Sequence, residues 1–212
     1  MYLVRAPVWL RPLFPGRIWN LPANERVLYL TFDDGPVPEV TPWVLDQLAQ
    51  YRARATFFMV GGNAERHPEL LARVRSEGHA VGNHTWQHLN GARTDLPTYL
   101  EDVERTQHLT GTRLFRPPYG RLTRRQATAL REHYDLVMWD VLSADFDPGA
   151  SSTVCSRNVI RNARPGSIIV FHDSIKAQDR LRGSLPHVLE HFAAQDYVFN
   201  ALPETGITAP RR

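Results

Sequence analysis

The sequence holds a single cysteine in 212 residues, so no disulfide can close within it and no cysteine-based zinc knot exists. That residue, Cys155, sits in STVCSRNVI, a helix-like stretch with Val154 and Val159 close by and no imidazole beside it. A small buried apolar side chain is its expected role, rather than a thiolate nucleophile. No run of 18 or more apolar residues occurs, so no transmembrane segment is expected. The first twenty residues, MYLVRAPVWLRPLFPGRIWN, carry Arg5 and Arg11 where a signal peptide needs an apolar stretch, and prolines at positions 7, 12 and 15. On sequence alone the expected location is therefore cytoplasmic. A Gly/Ser linker, a block of like charge and a shift in composition are missing too. One domain is expected over residues 27–212, with residues 1–26 as an N-terminal extension packed on it. Basic residues exceed acidic ones by only 25 to 22 and are scattered without interleaved aromatics, so no nucleic-acid partner is expected.

What is present is a globular composition, 42% hydrophobic and 22% charged, with one rhythm repeated from Val27 onward. Short apolar or β-branched runs (VLYLTF, ATFFMV, HAVGNH, RLFRPP, LVMWDV, SIIVFH and YVFNAL) alternate with longer stretches of helical spacing. Three of those stretches end toward Gly78, Gly111 and Gly166, and Thr41-Pro42 and His67-Pro68 open two of them. Strands apolar on both faces and separated by helices require a parallel sheet covered by those helices. Seven such units suit either a barrel or an open doubly wound sheet. Polar residues follow five of the strands: Asp33 and Asp34, His84 and His88, Arg116, Asp145, and His172. Groups drawn from five strand ends converge on one point more readily in a barrel. Trp9, Phe14, Ile18 and Trp19 suggest that the extension packs across the barrel, plugs its bottom, or helps close the gap left by a missing eighth unit.

In GNHTWQHLNG, His84 and His88 stand four apart; on a helical turn they would share a face, their Cβ atoms roughly 6 Å apart. Two imidazoles and one carboxylate could hold a zinc ion with a position left for water, whereas cap or surface histidines are the alternative. Asp33 and Asp34 end an apolar strand in DDGP, a tetrapeptide that also reads as a turn. Like charges so placed repel unless a cation intervenes. Arg116, in LFRPPYGR, offers a guanidinium that could grip a carboxylate bidentately, and His172-Asp173 puts an imidazole beside a carboxylate after an apolar strand, a candidate acid.

TFDDG, HTWQH, RPPYG, WDVLSADF and IIVFHD occur in the order found in the polysaccharide deacetylase family, the NodB-homology domain of carbohydrate esterase family 4, which the chain resembles from Val27 to about Leu202. The resemblance implies an α/β fold, an irregular, TIM-barrel-like (β/α)7 barrel. It also implies a metal-dependent hydrolase that removes acetyl groups from N-acetylhexosamine residues of a glycan, peptidoglycan or chitin-like, and releases acetate. One divalent ion is implied, zinc first, with cobalt, nickel or manganese as alternatives. Carried over by position, Asp34, His84 and His88 resemble its ligands, Asp33 the general base and Arg116 the base's tether. His172 resembles the general acid, Asp145 its partner, Tyr119 the backbone oxyanion donor, and Val170 and Phe146 lie where the acetyl pocket is lined. The fourth motif commonly reads D-x-x-D-W; here Leu142 replaces its first carboxylate and Phe146 its tryptophan. An O-acetyl esterase, another small amide hydrolase or a non-catalytic carbohydrate-binding protein are the alternative functions. The family mostly works outside the cytoplasm, against the location read from the missing signal, and no oligomeric state is implied.

Overall fold

A computed structural model describes residues 2–22, 25–204 and 207. Nine strands occur among them: β1 (Arg17–Ile18), β2 (Val27–Asp33), β3 (Ala55–Met59), β4 (Ala80–Asn83), β5 (Leu114–Phe115), β6 (Asp135–Val137), β7 (Val141–Leu142), β8 (Ile168–His172) and β9 (Val198–Phe199). The helices are α1 (Thr41–Gln50), α2 (Gly61–Arg66), α3 (Pro68–Ser76), α4 (Leu96–Thr110), α5 (Arg124–Leu130), α6 (Ser152–Asn162) and α7 (Gln178–Ala193). Every strand pairing is parallel, in the order β1-β6-β5-β4-β3-β2-β8-β7, with β9 beside β2.

The side-chain alternation of the strands makes two apolar layers. Phe32, Phe57 and Phe171, from three adjacent strands, stack at 5.1 and 6.1 Å between ring centroids, and pack with Leu45, Leu48, Leu185 and Leu189 of the covering helices. The next residue, Phe58, points the other way and joins Ile18, Ala80, Leu114, Val137 and Ile168. Side chains from six strands meet there only because the sheet curls around that face. Burying a ring such as Phe57 or Phe58 contributes about 1.5–3 kcal/mol. The result is the α/β fold expected, a curled, open half-barrel flanked by helices.

The run LVMWDV and the place of Gly166 differ from the sequence reading. LVMWDV is not one strand: β6 ends at Val137, Met138 to Asp140 step across, and β7 starts at Val141. β6 pairs with β5 and β1 whereas β7 pairs with β8, so the two halves of this run stand on opposite sides of the barrel's seam. The N-terminal stretch occupies that seam. Ile18 C=O accepts from Met138 N–H (2.7 Å), Val4 C=O accepts from Leu142 N–H (2.8 Å), and Asn20 bridges to Ser167. Its fastening is the fully buried carboxylate of Asp140, which takes Arg11, Arg5 (3.5 Å) and the hydroxyl of Ser167 (2.7 Å). Gly111 closes α4 in a left-handed conformation, but Gly166 (φ 84°) serves the turn into β8, four residues past the end of α6.

Candidate active site and metal centre

β2 ends in Asp33, which lies in register with Phe58 of β3 and His172 of β8. Asp34 then takes a left-handed conformation (φ 81°), breaking the strand's alternation, so the two adjacent carboxylates face different partners. After it comes a cis Gly35–Pro36 bond. A side chain at Gly35 would collide with the carboxylate of Asp173, which accepts from the Gly35 N–H (3.1 Å) and the Thr41 hydroxyl (2.6 Å). Burial pushes Asp173 up to about 8, against the hydrogen bond from Thr41. The carboxylate beside His172 in sequence thus braces the β2 turn instead of serving the imidazole.

His84 and His88 do not ride a helical turn. Residues 84–90 form a loop after β4, with Thr85 (φ 64°) and His88 (φ 57°) left-handed, and that reversal brings the two rings to 5.1 Å. The loop is held from two sides: Trp86 and Gln87 N–H donate to Asp102 Oδ1 (2.7 and 3.2 Å), while Gly61 and Gly62 at the start of α2 donate to the carbonyls of Thr85 and Trp86. His84 Nδ1 lies 2.7 Å from the carbonyl of Arg116, which assigns the proton to Nδ1 and frees Nε2, 3.7 Å from Asp34 Oδ1. His88 Nε2 is 3.1 Å from the same oxygen. Burial pushes His84 down to about 4, so it is neutral at pH 7. Burial opposes ionisation of Asp34, yet the hydrogen bond to His88 and the charge of His172 hold it well below the usual carboxylate range.

One ligand atom from each of Asp34, His84 and His88 lies within 4.8 Å of the others. A carboxylate and neutral imidazoles are the oxygen–nitrogen donors that zinc and its divalent neighbours take, so these residues fit such an ion.

Arg116 is fully buried and lies over Phe58, its guanidinium 4.1 Å from the ring centroid. Its grip on Asp33 is a single N–H (Nη1 to Oδ1, 2.6 Å), not the bidentate pair expected, because Nη1 also donates to the Thr31 hydroxyl (2.7 Å) and Nη2 to the Met138 carbonyl (3.0 Å). Four of its five N–H donors, each on its own acceptor (the fourth is the Nε N–H on the Val137 carbonyl, 3.4 Å), orient the guanidinium, and through it Asp33.

His172 takes both oxygens of Asp145: its backbone N–H donates to Oδ2 and Nδ1 lies on Oδ1, each at 2.8 Å. Burial alone would lower the imidazole pKa, but the charge and hydrogen bond of Asp145, then the charges of Asp34 and Asp33, carry it up to about 9. Tyr119 (φ 60°) stands edge-on to His88, its hydroxyl 3.2 Å from Nδ1.

Asp33, Asp34, His84, His88, Tyr119 and His172 all line one cavity of about 900 Å³. Val170, Leu142 and Phe146 form its apolar side, with Phe146 edge-on to His172 at 5.3 Å. Arg116 and Asp145 stand behind, fully buried. Cys155 is buried elsewhere, its thiol pushed up to about 11 by burial, as its sequence setting suggested. Asp102, Thr31 and Tyr2 escaped the sequence reading; each acts across more than ten residues of chain, with no spacing signal to announce it.

The polysaccharide deacetylase family model matches residues 20–135, more than half of the chain. The chain belongs to the polysaccharide deacetylase family. A peptidoglycan-N-acetylglucosamine deacetylase of Bacillus cereus is 36% identical over 195 residues, covering 88% of this chain and 91% of the relative. A chitooligosaccharide deacetylase of Azorhizobium caulinodans is 32% identical over 203 residues, covering 90% and 95%. The crystal structure of a peptidoglycan N-acetylglucosamine deacetylase bound to a naphthalenyl N-hydroxybenzamide superposes with a TM-score of 0.85 at 31% identity, covering 98% of this chain and all of that one. Family membership and the Asp34–His84–His88 set together support a metal-dependent hydrolase. No helix among the described residues is long and apolar enough to cross a membrane.

Proposed function

We propose that the chain is a metal-dependent de-N-acetylase, removing acetyl groups from N-acetylhexosamine residues of a glycan of the peptidoglycan or chitin type. The observation that carries this is the convergence, in one cavity, of an Asp-His-His donor set with a tethered carboxylate and an imidazole–carboxylate pair. Relatives named for peptidoglycan and for chitooligosaccharides support this choice of substrate class.

Asp34, His84 and His88 would hold the ion, zinc in the first place. A divalent ion supplies Lewis acidity toward the acetamide carbonyl and lowers the pKa of water. Asp33, fixed by Arg116, takes the proton of the attacking water as general base. The Tyr119 N–H donates to the oxygen on which negative charge develops. An amine leaves poorly unless protonated, and His172, charged through Asp145, gives its proton to the departing nitrogen. The C–N bond breaks, the water oxygen stays on the acyl carbon, and acetate and a free amino sugar result. Val170 and Phe146 shape the pocket for the acetyl methyl.

The test is acetate release from N-acetylated and matching O-acetylated oligosaccharides, with zinc and after chelation. Zinc-dependent release from the N-acetylated series is expected. Release from the O-acetylated series alone would make the protein an esterase, and glycan binding without release would make it a carbohydrate-binding protein.

A further inference from the structure

One wall of the cleft is aromatic and comes from the N-terminal stretch. Tyr2 lines the same cavity as Asp33 and His172. Its phenol donates to Asp147 Oδ2 at 2.7 Å, and the other oxygen of Asp147 accepts from the Gly149 N–H at 2.9 Å, so the ring is fixed at its far end. Two residues along, the Val4 carbonyl is bonded to Leu142 N–H, and next to it Arg5 reaches buried Asp140. The Tyr2 ring stands edge-on to Phe146 (5.1 Å, 69°), which stands edge-on to His172 (5.3 Å, 71°). Anchored though they are, Tyr2 and Phe146 remain 39% and 38% exposed.

Two fixed rings left open in a cleft with a charged floor offer flat apolar area beside polar groups. A pyranose ring matches that surface, with an apolar C–H face and a rim of hydroxyls. Its place next to His172 is continuous with the group proposed to protonate the leaving nitrogen. We propose that Tyr2 is a substrate-binding residue: with Phe146 it forms a wall on which a pyranose ring of the glycan stacks, so the N-terminal stretch completes the cleft as well as the fold. This inference rests on the de-N-acetylase reading.

The test compares Tyr2→Ala, Tyr2→Leu and Tyr2→Phe on an N-acetylglucosamine tetramer and on a small acetyl ester that carries no sugar. For Tyr2→Ala and Tyr2→Leu the tetramer KM should rise about tenfold, and the ratio of tetramer to ester kcat/KM should fall by about the same factor. Tyr2→Phe keeps the ring and should stay within about threefold of the wild type. An unchanged ratio would overturn the proposal, and so would a parallel fall on both substrates, since Tyr2 would then act only by positioning Phe146 and His172. Should the wild type release no acetate from any glycan, the de-N-acetylase reading fails by itself. Calorimetry of the tetramer binding to wild type and to Tyr2→Ala then decides: weaker binding by the variant keeps the wall, whereas equal binding, or none by either protein, removes it.

Discussion

Replacing Asp102 should loosen metal binding although Asp102 touches no ligand atom. Its carboxylate is nearly buried and accepts two consecutive N–H groups, from Trp86 and Gln87, at the point where the loop reverses between His84 and His88. Asp102→Leu leaves both donors facing an apolar side chain, at about 1–3 kcal/mol each if the loop stays in place. The loop can escape that cost by shifting, and the shift moves His88 away from Asp34, with which it now makes its 3.1 Å contact. Removing an outer support of this kind typically costs about 10–100-fold in metal affinity. Asp102→Asn keeps an acceptor oxygen and should recover most of it. Zinc affinity is measured by competition with a chromogenic chelator, and melting of the metal-free protein is followed alongside. A lower melting temperature with unchanged zinc affinity would mean that Asp102 serves the fold alone and does not support the metal ligands.

Turnover should hold at neutral pH and fall as pH rises through about 9, where His172 loses its proton. In Asp145→Asn that alkaline limb should move down by roughly one to three pH units, because burial, which lowers the pKa, then acts with less opposition. The same raised pKa contributes stability that is complete below about 6.5 and is lost as pH climbs through about 9, which urea melts across that range would measure. Arg116→Ala strands Asp33 without its cation in a buried position, and denaturation should show a loss of about 3–5 kcal/mol, with Arg116→Met milder if Asp33 is also replaced by Asn. Arg11→Ala removes one of the cations on buried Asp140; a loss of about 1–3 kcal/mol is expected, together with faster hydrogen exchange at the Leu142 amide.

The alternation of apolar runs and helical stretches announced a parallel sheet with helices around it because both signals are local. Strand β2 followed from the apolar run VLYLTF, and Asp33 and Asp34 at its end stood out for the same reason. Convergence is not local. That Arg116 reaches Asp33 and Thr31 from another strand, or that Asp145 and not Asp173 serves His172, depends on the curl of the sheet, and only the family resemblance, no local spacing, pointed to the pairings with Asp33 and Asp145. The split of LVMWDV at the barrel's seam was hidden because Met138 and Trp139 continue the apolar run while the backbone changes partners. The left-handed turns at Asp34, Thr85, His88, Tyr119 and Ala144 were equally hidden, since no glycine marks them. Five of the seven non-glycine residues with positive φ among the described residues lie at or beside the site, where the backbone is bent to aim ligands.

In the proposed mechanism two adjacent carboxylates divide the labour, Asp34 holding the ion and Asp33 taking the proton. The most direct measurement is zinc content and acetate release for Asp34→Ala and Asp33→Asn, side by side on one N-acetylated oligosaccharide. Asp34→Ala should lose zinc and activity together, while Asp33→Asn should keep its zinc and lose most of kcat. Near-normal kcat/KM in zinc-loaded Asp33→Asn, or full zinc content in Asp34→Ala, would contradict it.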